Sequence, residues 1–402
     1  MAVNKETEQR NRALIKSLLR SVVPLLVCIC FLGVNQPLFA AIAGALSIYV
    51  GSTQTAPNVL SRICSHLLNS SKLPQAEMVA RFGIAWCRLW RVDARARLPR
   101  SIAWDAILIG HLAHSLLLQA KFDEAIVTYE KLLKLATDSG DITGVARFSG
   151  KLAFCYSAQG KVTLAMRTIQ NTIPRLEAAI ESAERNEEPG LVRVYRGQLC
   201  SARFEQATIL ETKRDFAAAE AIRRTAVAEA TALYGPENLF LMPYLSMLGK
   251  VLIRLKKYDE AEQLLVRAYE NRSKHLPQKH ALIASSKLGL GHLYCETDRL
   301  DLASDMLTDA LACVIDLVGE DAPDLPQFKW TLAKVRIKQG QYKEAETLLQ
   351  SAIEQKVRNS SDMHPDLIEY LEAMAELKAA TGLIDEASIA HKRAEAIQAT
   401  LV

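Results

Sequence analysis

Eight histidines and eight cysteines have the widest scope for chemistry in this 402-residue chain. His111 and His114 stand three apart, one turn of a helix, which would suit a pair of metal ligands. No carboxylate lies within a helical turn of either, so they read as polar residues of a helix face. His275 and His280 flank Pro277 and read as turn residues. The cysteines sit at 28, 30, 64, 87, 155, 200, 295 and 313, with no C-x-x-C pair and no Cys/His grouping at zinc spacing. Six of them read as small buried helix residues, which favours a reducing compartment. G-x-S-x-G and H-E-x-x-H are absent, and no phosphate-cradling glycine loop follows a strand. The sequence therefore predicts no catalytic residue, no metal site and no cofactor: not an enzyme.

Composition narrows the classes further. Half of the residues are apolar and 23% are charged, which excludes global disorder. The net charge of +4, from 49 Lys+Arg against 45 Asp+Glu, is too even for a nucleic-acid binder, and 6% aromatic residues are too few for a base-stacking surface. The charges are segregated, however. Residues 1–20 form a basic tail with Lys5, Arg10, Arg12, Lys16 and Arg20. Residues 51–100 end in Arg81, Arg88, Arg91, Arg95, Arg97 and Arg100, with Trp86 and Trp90 among them; those tryptophans fit either a lipid interface or a cap packed on the rest of the chain.

Between the basic clusters, residues 21–50 carry no charge. A helix crosses a bilayer with about 20 apolar residues. Three readings fit: one tilted span broken at Pro24 and Pro37, a signal peptide with small residues at Ala41-Ile42-Ala43, or a hairpin turning at Asn35-Gln36-Pro37. The first predicts a single-pass membrane anchor with a cytoplasmic N-terminus, because Lys and Arg crowd the preceding tail. The side on which the rest of the chain would lie stays open.

Elements that could position a site appear as an internal repeat. Ala219, Ala261, Ala303, Ala345 and Ala387 follow one another at steps of 42. Leu248, Leu290, Leu332 and Met374 stand thirteen residues before the last four, each followed by a small residue: Gly249, Gly291, Ala333 and Ala375. Ala226, Ala268, Ala310, Ala352 and Ala394 come seven after. Apolar residues at helical period, interrupted by polar or glycine turns such as Gln339-Gly340-Gln341, predict helical hairpins whose small residues let the helices approach closely. Residues 191–402 thus hold five 42-residue units. Residues 101–190 hold looser copies around Ala125 and Ala165. The step of 54 from Ala165 to Ala219 reads as lengthened helix and loop around residues 181–190.

Leu290-Gly291, Tyr294 and then Ala303 resemble the tetratricopeptide repeat. The 42-residue spacing and the loops Gly235-Pro236-Glu237-Asn238, Ala322-Pro323-Asp324 and His364-Pro365-Asp366 are similar to the kinesin-light-chain-like subclass. The resemblance implies an all-α, right-handed α-solenoid whose first helices line a concave face. In that frame the inner-wall residues are Arg147, Lys151, Lys250, Arg254, His292, Trp330, Lys334 and Lys338, while the last unit offers Glu369, Glu372 and Glu376. The cations would hold an acidic or C-terminal segment of another protein, with Trp330 on an apolar side chain of it. Asparagine pairs, usual on the inner wall of that subclass, are replaced here by Ser246-Met247, Leu288-Gly289 and Trp330-Thr331. The function implied is a membrane-anchored scaffold or adaptor for other proteins. An exported soluble repeat protein and a non-catalytic subunit of an enzyme complex are the alternatives. No nucleic acid or small-molecule substrate is expected.

Overall fold

The computed structural model describes residues 55–69, 73–94, 102–360 and 362–401. Among the described residues the chain forms sixteen α-helices and no strand. It divides into two compact units, residues 1–119 and 120–402.

The described part of the first unit is a three-helix packing: α1 (Thr55–Asn69), α2 (Leu73–Ala94) and α3 (Ile102–Leu118). Leu60 and Cys64 of α1, Ala76 and Ala80 of α2, and Leu108 and Leu112 of α3 form its core. The Ser115 hydroxyl donates to Leu73 O at 2.8 Å, tying α3 to the start of α2. His111 Nε2 meets Ser61 Oγ at 3.0 Å, and burial together with His114 lowers its pKa. Among the described residues no cluster of His, Cys, Asp and Glu could hold a metal ion.

The membrane-attached placement is corrected here: among the described residues, no helix is long and apolar enough to cross a membrane. These helices bury one apolar stripe and carry charges at helical spacing on the other, which a bilayer core would not tolerate. The basic tail and residues 21–50, on which the anchor was placed, lie outside the described residues, as do the side chains of Trp86, Arg88, Trp90 and Arg91.

The second unit begins with α4 (Phe122–Ser139) and continues as six hairpins. They are α5 (Ile142–Ala158) with α6 (Val162–Arg185), α7 (Pro189–Thr212) with α8 (Phe216–Tyr234), and α9 (Met242–Arg254) with α10 (Tyr258–His275). Then come α11 (Ala281–Glu296) with α12 (Leu300–Val318), α13 (Leu325–Lys338) with α14 (Tyr342–Asn359), and α15 (Leu367–Ala380) with α16 (Ile384–Ala399). The twelve extra residues before Ala219 are absorbed as helix: α6 and α7 run 24 residues each.

The repeated small residues set the packing. Ala219, Ala261, Ala303 and Ala345 are fully buried, and so are Ala226, Ala268, Ala310 and Ala352. A Cβ on Gly291 would stand 2.5 Å from Leu307 Cγ, and one on Gly249 2.7 Å from Leu265 Cγ. The glycine is what admits the leucine of the partner helix. Ala387 departs from the series, being only half-buried. Two side chains clasp the longer loops between units: Asn271 Nδ2 donates to Glu237 O (2.9 Å) and Gln355 Nε2 to Ala322 O (2.9 Å).

Each of the six hairpins turns through one left-handed residue, five before the key alanine: Gly160, Arg214, Lys256, Asp298, Gly340 and Gly382. The next amide bonds the carbonyl five residues back, as in Lys257 N to Leu252 O at 2.9 Å, so the end of the first helix is satisfied. Three of the six are not glycine. A left-handed side-chain-bearing residue costs about 1–2 kcal/mol, partly offset by the unfolded-state entropy that glycine adds. Lys256, exposed at φ 59, is the cleanest case. Lys256→Gly should stabilise the chain by about 1 kcal/mol, read as a higher urea midpoint; an unchanged or lower midpoint would contradict the turn assignment.

Candidate functional site

In the repeat frame the inward stripe belongs to the first helix of each hairpin, and the structure brings these stripes together across a common interior. Arg254 on α9 meets Glu369 on α15 at 2.6 Å. Arg214, in the α7–α8 turn, lies 3.6 Å from Glu372 on α15. The loop before α15 reaches further still. A Cβ on Gly160 would stand 3.7 Å from Pro365 Cδ. The His364 ring hydrogen-bonds the Ser157 backbone, while His364 Nδ1 accepts from the Asp366 amide at 3.1 Å. The array has wound far enough for its last hairpin to touch its α5–α6 turn.

Six of the eight predicted inner-wall residues lie within this interior. Trp330 is 4% exposed; its indole N–H donates to Glu369 O (3.1 Å), and its ring stands between His292 and Tyr370 with centroids 5.4 and 5.7 Å away. Lys334 pairs with Glu296 and lies over the Trp330 ring at 5.4 Å. Lys338 Nζ donates to Cys295 O (2.8 Å) and Asp298 Oδ1 (2.7 Å). Arg254 is shared between Glu369 and the Phe216 ring. Lys250 is half-buried, and Glu211 and Asp324 oppose the lowering of its pKa by burial.

The remaining two differ. Arg147 is exposed and so is Lys151, both on α5, and among the described residues neither side chain forms a hydrogen bond or an ion pair. Arg147 lies near the Phe148 ring at 5.3 Å, and Lys151 has Glu205 of α7 as its opposite charge. Phe154, three residues beyond Lys151 on the same stripe, is 46% exposed. Val194 and Leu191 of α7 are exposed to similar degrees, 44% and 42%.

The electrostatics of the interior are uneven. Burial holds the His292 pKa well below its ordinary value, and Lys334, Arg254 and Lys250 push it the same way, so the ring is neutral even with Glu296 3.7 Å away. Burial raises Glu369 against the pull of Arg254, and raises Glu211 against Arg223. Burial would also raise Asp366, but Lys356 (2.6 Å) and His364 hold it below the ordinary carboxylate value. Outside this interior, a cleft of about 600 Å³ lies between α6, α7 and α8. Arg203 within it is already bound to Glu177 and Glu229.

Sequence reasoning placed Glu369 and Glu372 on the wall but not opposite Arg254 and Arg214. It also passed over Phe154, though the spacing 147, 151, 154 marks one helix face. His364 was read as loop chemistry, with no signal that the loop would return to Ser157.

The tetratricopeptide repeat family model matches residues 198–274, 281–356 and 324–400. These residues are tetratricopeptide repeats. Solved structures with similar architecture extend the likeness over the rest of the array. The Rap conjugation gene regulator of plasmid pLS20, in complex with the Phr* peptide, gives a TM-score of 0.57 at 12% identity, covering 86% of this chain and 96% of that one. A Rap protein complexed with competence and sporulation factor gives 0.56 at 14%, covering 87% and 99%. The apo form of the quorum sensor NprR from B. thuringiensis gives 0.51 at 11%, covering 94% and 97%. At such identities the likeness is one of fold. No curated protein matches the sequence.

The repeat array closes through a histidine that must stay neutral. Burial lowers the His364 pKa from 6.5 to about 4. A group lowered on folding contributes stability that is present above its unfolded value and lost as pH falls toward the folded one. Between pH 7 and 4.5 this site should cost wild type about 2 kcal/mol. His364→Gln should remove that component, measured by urea unfolding at both pH values; an identical pH dependence in the variant would show that the ring is not held neutral.

Proposed function

We propose that this chain is a non-catalytic binding protein that takes an acidic segment of another protein along the inner wall of its repeats. The segment enters over α5, where Arg147, Lys151 and Phe154 lie on one stripe at spacings of four and three residues. That exposed stripe is the observation that carries the reading, because among the described residues neither cation is tied up in a hydrogen bond or an ion pair. Two cations beside an exposed phenyl ring suit carboxylates interleaved with an apolar side chain. Lys250, Arg254, Lys334 and Lys338 would continue the same wall inward, whereas His292 and Trp330 are buried against the chain itself. Two of the solved relatives were captured with Phr* peptide or with competence and sporulation factor, which supports a peptide-like partner.

The likeness to the kinesin light chain subclass does not bring its cargo grip. Ser246, Leu288 and Trp330, which stand where that subclass places asparagine, are buried here. Recognition must therefore use charge and the phenyl ring.

Micromolar affinity needs about 8 kcal/mol in all. A fluorescein-labelled octapeptide of alternating glutamate and leucine should bind the full chain in that range at low salt. Arg147→Glu with Lys151→Glu should weaken it at least about tenfold through charge reversal, whereas Lys392→Glu on α16 should not. Equal binding by the double variant and wild type would refute the entry stripe.

A further inference from the structure

Helix α15 does to the wall what an acidic partner would do. Glu369 and Glu372 stand three apart, on one face of the helix. Glu369 takes Arg254 at 2.6 Å, and its backbone carbonyl accepts the Trp330 indole. Glu372 approaches Arg214 but stops at 3.6 Å. Arg214 Nη1 is buried there and has no hydrogen-bond acceptor, a state that folded proteins rarely leave uncorrected. The pair that closes the array is thus half-made: one carboxylate is fully engaged, and the other lies just short of a donor that needs it.

Neither carboxylate is held in the manner of a core ion pair. The Glu369 side chain keeps 27% of its surface exposed and that of Glu372 keeps 47%. Water can therefore reach both, Glu372 more readily than Glu369. Of the cations they cover, Arg254 belongs to the inner stripe of α9, while Arg214 stands at the α7–α8 turn beside it. Removal of α15's charges would leave Arg254 and Arg214 without their carboxylates, which disfavours the closed arrangement.

We propose that α15 is a built-in competitor for the inner wall. Its Glu369 and Glu372 occupy Arg254 and Arg214 in the closed array, and an acidic partner segment reaches those cations by displacing them. The inference rests on the inner wall being the binding face. A partner carboxylate that closes on Arg214 to hydrogen-bond distance gains a bond that the closed array lacks, so exchange of one acid for another need not cost the array its stability.

The full chain and the same glutamate–leucine octapeptide test this. Glu369→Gln with Glu372→Gln should tighten binding about tenfold, because a larger fraction of molecules presents free cations. Amide hydrogen exchange at residues 157–161 and 363–368 should quicken in parallel. Glu372→Gln alone, at a half-exposed position, should tighten binding about threefold by the same fraction and guards against a folding defect in the double variant. Arg254→Gln should quicken the same amides yet weaken binding, since it opens the array and removes a cation. Octapeptide affinity no higher than wild type in both glutamate variants would overturn the competitor, whatever the amides do. If Arg147→Glu with Lys151→Glu still weakens binding in that event, the binding face survives without the competitor; absence of binding by every protein removes both.

Discussion

A leucine seated on a residue too small to repel it, repeated every 42 residues, is the contact on which the rest of this structure depends. Leu265 on Gly249 and Leu307 on Gly291 bring the helices of one hairpin together, and Leu349 is buried in the same register. The left-handed turn, five residues before each key alanine, keeps the two helices antiparallel. Because every unit repeats this geometry, each hairpin is displaced from the last by a similar rotation, and small rotations accumulate in a repeat array. Accumulated, they return α15 to α9, α7 and the α5–α6 turn.

That return changes what an inner wall means. An open solenoid would leave every first helix in solvent, and the cations would be free. Here the chain spends most of them on itself, and a ladder of His292, Trp330 and Tyr370 fills the space beside them. The open part lies on the stretch of α5 from Arg147 to Phe154, before the contact of His364 with Ser157. Function in this protein therefore depends on how completely the array closes, which is a property of the whole chain and not of one motif.

The hairpins were legible in the sequence because their cause is local and periodic: alanine, glycine and leucine at fixed offsets have one packing solution. Register even explains a residue that composition would not have buried. Arg223 stands four after Ala219, where Leu265, Leu307 and Leu349 stand in later units, and it is fully buried. Glu211, Thr208 and Phe204 O satisfy it. Its guanidinium also lies 4.3 Å over the Phe204 ring. The closure was not legible. Gly160 and Pro365, or Arg214 and Glu372, are far apart in the chain, and nothing in either neighbourhood specifies the other. The sites went the same way: the cations could be assigned to a wall from the frame, but which ones would be neutralised depends on a pitch that only the folded array sets.

The contact between Arg254 and Glu369 is where that pitch can be weighed. A double-mutant cycle with Arg254→Gln, Glu369→Gln and both together, read by urea unfolding of the full chain, isolates the energy the two share across the array. Closure predicts a coupling of about 1–3 kcal/mol, the range for residues in one partly buried charge network. Additivity within about 0.3 kcal/mol would mean that the two residues do not meet in solution and that the inner wall stands open along its whole length.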